Sequence, residues 1–348
     1  MSDKSKILTE VSVIRPILIV LLVVYHSFII YQGGWSEPDG FEPNRTYWWI
    51  SKASYSFMLE AFVLISGYVF AYQATIKPHL IQNGGGKLLI LSKLKRLILP
   101  SIIFSTIYFA LYIDYKSVTQ LTYTILNGAG HMWFLPMLFW CFIGCYYIEQ
   151  INISRSSKLI GLILIALISY APLPFRLNSA MYYLLFFFIG YIAYSFREQL
   201  NKWISSKKVV VLWIIFISVF VVSTLVIEQI QINYIDISGS ILNKAIFSTT
   251  KLLLRIIYAV LGCLAIYTTA LHYTKNREIP EYIIKFGNIS MGVYIAQQFI
   301  LMWLYYYTSL PSIMGSLWLP WVGFAIALSG SLLLSWLFRK TKLGMALI

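Results

Sequence analysis

Charged residues are scarce in this sequence, and acidic residues are scarcer than basic ones. Only 11% of the 348 residues are charged, whereas 59% are hydrophobic. Soluble globular domains carry about 25% charged residues, so this composition excludes an ordinary soluble protein. Length alone would allow two soluble domains, but the hydropathy overrides that expectation and predicts a polytopic membrane protein that interacts with the lipid bilayer.

Cysteine is also rare, and its placement excludes two further classes of protein. Cys141, Cys145 and Cys263 all lie inside apolar runs, in numbers and spacings that form neither a disulfide framework nor a zinc site. We therefore predict no metal. The net charge of +14 could indicate a nucleic-acid partner, but the basic residues fall in short loops between apolar runs. Membrane topology explains that placement better, and no nucleic-acid partner is predicted.

The apolar runs predict an all-α membrane protein with about ten transmembrane helices. Basic residues favour the side that holds both termini by nineteen to seven, so both termini are predicted to be cytoplasmic. The whole chain, 1–348, is predicted to form one integral-membrane domain without an appended soluble domain, and its oligomeric state is open. The predicted spans are about 11–31, 54–73, 97–113, 131–148, 158–172, 180–196, 209–227, 254–272, 286–306 and 319–338.

Two ionisable residues in the first span point to a function. Arg15 and His26 are eleven positions apart, which places them on nearly the same helix face, roughly 16 Å apart along the axis. Ionisable groups at membrane depth are costly and usually face a wet cavity. We expect Arg15 and His26 to lie at the two ends of one polar channel, with His26 as a general base. The alternative is that His26 only hydrogen-bonds a neighbouring helix.

The second span supplies a carboxylate that could act with His26. Glu60 is expected at a similar depth, where it could fix the tautomer of the imidazole and favour the imidazolium. The alternative is a structural ion pair or a carboxylate that reaches toward the surface. Gly67, further along the same helix, predicts a close approach of another helix. Ser66 precedes Gly67, but no base is obviously within its reach, so we do not predict a nucleophilic role for Ser66.

Two further segments carry candidate binding residues. Lys87, Lys93, Lys95 and Arg96 form the densest cytoplasmic basic cluster, which suits either anchoring to anionic lipid or binding of a phosphorylated cofactor. His131 and Trp133 open the fourth span in an aromatic-rich stretch. That stretch could hold a sugar or could anchor the helix at the membrane interface.

Taken together, these residues resemble the integral-membrane acyltransferase-3 family, which acylates bacterial surface glycans. Arg15 and His26, with ten residues between them, resemble the signature of that family in its first span. Five further blocks follow in the expected order over nearly the whole chain: FVLISGY at 62–68, KRLILP at 95–100, WFL at 133–135, FFFIGY at 186–191 and GNISMGVYIAQQ at 287–298. One departure is Gln297, which stands where many relatives carry a histidine.

The resemblance implies an O-acyltransferase of the bacterial inner membrane. It implies that an acyl group, most often acetyl, moves from cytoplasmic acyl-CoA to a hydroxyl of a glycan or lipid-linked saccharide. His26 and Glu60 would be catalytic, Arg15, Lys95 and Arg96 would bind the cofactor, and His131, Trp133, Tyr68 and Gln297 would contact the substrate. The alternatives are a saccharide or anion transporter or flippase, and a polymer-export partner that never consumes acyl-CoA. The sequence shows no inverted repeats of the kind that many transporters carry.

Overall fold

The computed structural model describes residues 8–78, 85–234, 241–275 and 277–347, and within these ranges it contains helices and no strands. The described residues form sixteen α-helices in chain order: α1 Thr9–Phe28, α2 Arg45–Tyr55, α3 Met58–Ile76, α4 Gly86–Lys93, α5 Leu99–Tyr112, α6 Val118–Asn127, α7 Phe134–Gln150, α8 Arg155–Leu167, α9 Leu177–Ser195, α10 Arg197–Trp203, α11 Ser206–Tyr234, α12 Ile241–Thr274, α13 Glu281–Asn288, α14 Ser290–Tyr306, α15 Leu310–Phe338 and α16 Lys342–Leu347. The 3₁₀ turns Ile29–Gln32 and Gly130–Trp133 extend α1 and precede α7, and the π-helical turn Leu94–Ile98 joins α4 to α5.

Long apolar helices confirm the predicted all-α membrane bundle. In the described part of the chain, seven helices are long and apolar enough to cross a membrane: Thr9–Gln32, Arg45–Ile76, Gly130–Gln150, Leu177–Ser195, Ser206–Ile232, Asn243–Thr274 and Leu310–Phe338. The other three predicted spans coincide with the shorter helices α5, α8 and α14. A span needs about 20 residues, so the number ten stays a prediction, as does the cytoplasmic position of the termini.

Helix α1 lies at the centre of the bundle, where it packs against α2, α3, α12, α13, α14 and α15. Ile14, Leu18, Leu22 and His26 recur every fourth residue along it, and all four are buried. Residues at this spacing share one helix face. The helical repeat of the apolar residues therefore carries His26 into the protein interior.

Helices α3 and α9 cross at two glycines. A Cβ atom on Gly67 would lie 1.9 Å from the backbone oxygen of Phe187, and one on Gly190 would lie 1.9 Å from the backbone oxygen of Leu64. Each helix thus places its backbone where a side chain of the other would otherwise stand, as Gly67 predicted. This contact fixes the position of α3, which lines the cavities described next.

Candidate functional site

A cavity of about 510 Å³, here called the arginine cavity, lies beside the first half of α1. Four cationic residues from three parts of the chain line it: Arg15, Lys93, Arg96 and Arg339. Asp and Glu are absent from its described lining, and none of the four cations takes part in an ion pair between described residues. Unpaired cations around a cavity favour an anionic ligand.

Two basic side chains near the junction of α4 and α5 line the arginine cavity, Lys93 and Arg96. The π-helical turn begins directly after Lys93 and contains Lys95 and Arg96. Lys93 is buried, and its ammonium lies 3.6 Å from the centroid of the Phe142 ring. Burial, together with the neighbouring Arg96 charge, lowers the pKa of Lys93 to about 8. Lys95, by contrast, is exposed and lines neither described cavity.

A second cavity of about 420 Å³, here called the histidine cavity, lies beside the second half of α1. His26 and His131 contribute imidazoles to its wall, Gln298 contributes an amide, and Trp133 lines it as well. The rest of the wall is mainly aromatic and includes Tyr25, Trp35, Tyr55, Tyr108, Tyr112, Phe134 and Tyr294. Aromatic walls with a few convergent polar groups are typical of ligand-binding sites.

The two cavities adjoin each other. Leu22, Leu59, Phe134 and Tyr294 line both of them. The arginine and histidine cavities are thus separated by a shared layer of side chains. Arg15 lines one and His26 lines the other, which is the arrangement expected for a passage along α1.

His26 is held by a glutamine. Its Nδ1 lies 3.1 Å from Oε1 and 2.9 Å from Nε2 of Gln297, so the amide can either accept from this nitrogen or donate to it. When Oε1 accepts, Nδ1 carries the hydrogen and Nε2 keeps a lone pair that can take a proton. The Trp35 ring lies nearly parallel to the imidazole, with centroids 5.9 Å apart. Gln297 was predicted to contact substrate. It is fully buried and lines neither cavity, and it contacts His26 instead.

His131 comes close to His26 from the other side of the cavity. The two ring centroids are 6.1 Å apart and the rings meet edge to face. Nε2 of His131 lies 3.1 Å from the backbone oxygen of Ile295 on α14. The 3₁₀ turn before α7 therefore presents a second imidazole to the same cavity.

The predicted contact between Glu60 and His26 is wrong. Oε1 of Glu60 accepts hydrogen bonds from Tyr182 at 3.0 Å and from Nε and a terminal nitrogen of Arg255 at 3.1 and 2.9 Å. No hydrogen bond joins Glu60 to His26 among the described residues. The two side chains come from helices of similar depth, but α3 turns Glu60 toward α9 and α12. Glu60 therefore forms a structural ion pair with Arg255, which was the alternative interpretation of this carboxylate.

Tyr68 is likewise separated from the cavities. It is fully buried, and its hydroxyl donates to Glu10, which also forms an ion pair with Arg197 at 2.8 Å. Tyr68 lines neither cavity. Of the nine site residues predicted from sequence, the structure places five in the walls of the two cavities: Arg15, Arg96, His26, His131 and Trp133.

Several residues of the cavities escaped sequence reasoning. Lys93 belonged to the predicted basic cluster but was not selected from it, and Arg339, at the other end of the chain, resembled an ordinary positive flank. Trp35 and Gln298 gave no signal beyond their residue types. Within the described ranges, no three His, Cys, Asp or Glu side chains are grouped closely enough to hold a metal ion.

Comparison with known proteins gives one match. A family model described as an acyltransferase domain, the acyltransferase-3 model, matches residues 8–340 and so spans nearly the whole chain. No curated protein and no solved structure matches the chain.

Proposed function

The chain belongs to the acyltransferase-3 family and is a membrane acyltransferase, and from that premise we propose that it is an acyl-CoA-dependent O-acyltransferase. The acyl group, most simply acetyl, moves from acyl-CoA to a hydroxyl of a cell-surface glycan or lipid-linked saccharide. The observation that carries this proposal is the adjoining pair of cavities, one cationic and one aromatic with two histidines.

The arginine cavity binds the donor in this proposal. Coenzyme A carries a pyrophosphate and a phosphomonoester, and four cations without a carboxylate partner suit such a polyanion. Arg15 and Arg96 keep their predicted roles. Lys93 takes the place predicted for Lys95, because Lys93 lines the cavity and Lys95 does not. Arg339 adds the fourth charge.

The pantetheine arm carries the thioester between the cavities. It is long, thin and uncharged, so it can pass the shared layer formed by Leu22, Leu59, Phe134 and Tyr294 while the phosphates stay beside Arg15. The basic residues of the loops favour a cytoplasmic arginine cavity. Acyl-CoA would then enter from the cytoplasm of a bacterial cell, and the histidine cavity would face the acceptor on the outer side of the inner membrane.

His26 removes the proton from the acceptor hydroxyl in the histidine cavity. The hydroxyl oxygen attacks the thioester carbonyl, a C–O bond forms, the C–S bond breaks, and the imidazolium returns its proton to the departing thiolate. Gln297 keeps a hydrogen on Nδ1 by accepting from it, so that Nε2 is the nitrogen that takes the proton. Trp133 and the neighbouring tyrosines offer flat faces to a saccharide ring.

Acyl transfer by purified protein in nanodiscs tests this proposal. We expect radiolabel from acetyl-CoA to become covalently attached to saccharide from bacterial envelope extracts. His26→Ala should lower the rate about 10²- to 10⁴-fold, the usual contribution of a general base. His272→Ala is the matched control, because His272 lines neither cavity.

Two outcomes would count against the proposal. Full transfer by His26→Ala would exclude His26 as the base. Saccharide that crosses the bilayer of proteoliposomes while all label stays on coenzyme A would favour a flippase or an export partner. Equal thermal stability of the two variants and the unsubstituted protein ensures that a loss of rate reports chemistry.

A further inference from the structure

Two buried hydrogen-bond acceptors belong to residues that line the histidine cavity. Nδ1 of His131 and Oε1 of Gln298 have no hydrogen-bond partner among the described residues, although both side chains are at least 96% buried. Nε2 of each residue already has a hydrogen-bond partner. Nε2 of His131 lies 3.1 Å from the Ile295 carbonyl oxygen, and Nε2 of Gln298 donates to the Tyr108 hydroxyl at 3.2 Å.

The Ile295 carbonyl decides which nitrogen of His131 carries the hydrogen. A carbonyl oxygen only accepts hydrogen bonds, so Nε2 of His131 must be the donor. In the neutral ring Nδ1 then keeps its lone pair. A buried acceptor without a partner is destabilising, because its lost contact with water is not replaced. A ligand that donates to Nδ1 would recover that free energy.

A single hydroxyl cannot serve both histidines. The hydroxyl that is acylated has one hydrogen, and in the proposed reaction His26 takes it. His131 therefore needs a second donor close by. The two ring centroids are 6.1 Å apart, and a hydrogen bond from a hydroxyl is about 2.8 Å long. Rings at this distance are in edge-to-face contact, so a ligand would meet both of them from the cavity that they line. Hydroxyls on adjacent carbons are the closest pair that one saccharide can offer to the two rings.

We propose that His131 and Gln298 form a subsite for a second hydroxyl of the acceptor, next to the one that is acylated. The acceptor is then a saccharide with two neighbouring free hydroxyls. One gives its proton to His26, and the other donates its single hydrogen either to Nδ1 of His131 or to Oε1 of Gln298. This inference rests on the proposed function and defines which hydroxyl compounds the histidine cavity selects.

One competing arrangement needs no ligand. The Gln298 side chain lies within interaction range of the His131 imidazole, and a half-turn of the Gln298 amide would present its nitrogen rather than its oxygen to that ring. Gln298 would then satisfy His131 within the protein, and no second hydroxyl would be required.

The first test needs no acyl donor. Histidine labelled with ¹⁵N reports the tautomer and hydrogen bonding of each ring in nanodiscs, and loss of a signal in His131→Asn assigns the ring. We expect His131 with hydrogen on Nε2 and an unbonded Nδ1, whose signal shifts when cyclohexane-1,2-diol is added and shifts less with cyclohexanol. Hydrogen on Nδ1, an Nδ1 already bonded without a probe, or no response to the diol would overturn the inference.

The second test measures selectivity. With labelled acetyl-CoA, the unsubstituted protein should acylate cis- or trans-cyclohexane-1,2-diol at least about tenfold more efficiently, by kcat/KM, than cyclohexanol, because one satisfied acceptor is worth about 1.4 kcal/mol. His131→Leu should bring this ratio near one. His131→Asn, whose side-chain oxygen can stand near the position of Nδ1, should restore part of it, and Gln298→Leu should lower it.

His272→Leu is the matched control for selectivity. His272 also has one nitrogen hydrogen-bonded, to Ser206, and one buried nitrogen without a partner in the described structure, but it lines neither cavity. The kcat/KM ratio of diol to cyclohexanol for His272→Leu should equal that of the unsubstituted protein. A ratio near one in the unsubstituted protein, an unchanged ratio in His131→Leu, or consumption of acetyl-CoA without acylation of either alcohol would overturn the subsite. No consumption of acetyl-CoA at all would count against the proposed function, and the tautomer measurement would still decide the state of His131.

Discussion

At the scale of single residues, the environment of each ionisable group separates function from support. Arg15, Lys93 and His26 line cavities without a carboxylate partner in the described structure, whereas Glu60 and Glu10 are buried against arginines. Burying an ion pair brings little net stability, but removing one member leaves an uncompensated charge. The first group is therefore available to ligands, and the second group holds helices together.

Lys93 should give the proposed donor site a pH dependence. Its pKa is lowered to about 8, so its charge is present below pH 8 and is lost as the pH rises through that value. We expect the Kd for coenzyme A to rise by about tenfold, ~1.4 kcal/mol, between pH 7 and pH 9, as measured by equilibrium dialysis. Bound phosphate raises the pKa of the ammonium, so the midpoint should lie higher at saturating ligand.

Substitutions separate Lys93 from its neighbour on the same turn. Lys93→Met should already bind coenzyme A weakly at pH 7, and its Kd should no longer depend on pH. Lys95→Met changes an exposed side chain outside both cavities, so its Kd should follow that of the unsubstituted protein. A pH profile that is the same in Lys93→Met and the unsubstituted protein would assign the titration to another group.

The pair of Glu60 and Arg255 should act through stability. Arg255→Met should destabilise the protein by about 3 kcal/mol, the lower part of the range for a broken buried pair, because the Arg255 side chain is 30% exposed. Glu60→Gln combined with Arg255→Met should be more stable than Arg255→Met alone, since no charge is then left unpaired. Thermal unfolding in detergent measures both effects.

Activity measurements on the same variants decide the role of Glu60. Glu60→Gln should keep a transfer rate close to that of the unsubstituted protein. If its rate fell as far as that of His26→Ala at unchanged thermal stability, Glu60 would be catalytic, as the sequence alone predicted.

At the scale of helices, the crossing of α3 and α9 depends on glycine. A methyl group on Gly190 would lie 1.9 Å from a backbone oxygen of α3, and backbone cannot move aside as a flexible side chain can. We expect Gly190→Ala to cost about 3 kcal/mol, the upper part of the range for overpacking, as a lowered temperature of unfolding in detergent. This cost arises because α3 and α9 would have to move apart to make room for the methyl group.

An open glycine provides the control for this crossing. A Cβ atom on Gly161 of α8 would meet nothing within 4 Å, so Gly161→Ala should be neutral or stabilising by up to about 1 kcal/mol through its helix propensity. Equal stability of Gly190→Ala and Gly161→Ala would mean that the α3–α9 contact can relax.

At the scale of the whole molecule, the orientation in the membrane decides which cavity meets the donor. All three cysteines are buried and should not react with a membrane-impermeant maleimide in intact cells. We therefore expect Glu37→Cys, on an exposed loop that the predicted topology places outside, to be labelled in intact cells. Glu198→Cys, exposed on the opposite side by the predicted topology, should be labelled only after the membrane is opened.

The reverse labelling pattern would place the arginine cavity outside the cytoplasm, away from acyl-CoA. Labelling of the unsubstituted protein in intact cells would show that a native cysteine becomes accessible and would require its replacement before the topology is assigned.

Local periodicity alone determined much of this protein. Composition and apolar runs give an all-helical membrane bundle, and the helical repeat places Arg15 and His26 on one face of α1, because both properties follow from residues close together in sequence. Gly67 also predicted a close contact between helices, since small residues allow helices to approach closely in membranes.

Only the tertiary structure decided which residues meet across helices. The direction of a side chain around its helix axis relative to other helices is set by packing, which sequence spacing within one helix does not specify. Glu60 therefore met Arg255 instead of His26, and Gln297 came to lie beside His26, 271 positions away in the chain. Lys93 and Arg96 likewise came to line the arginine cavity while Lys95 stayed outside it, because residues three apart share a helix face and only packing decides which face is turned inward.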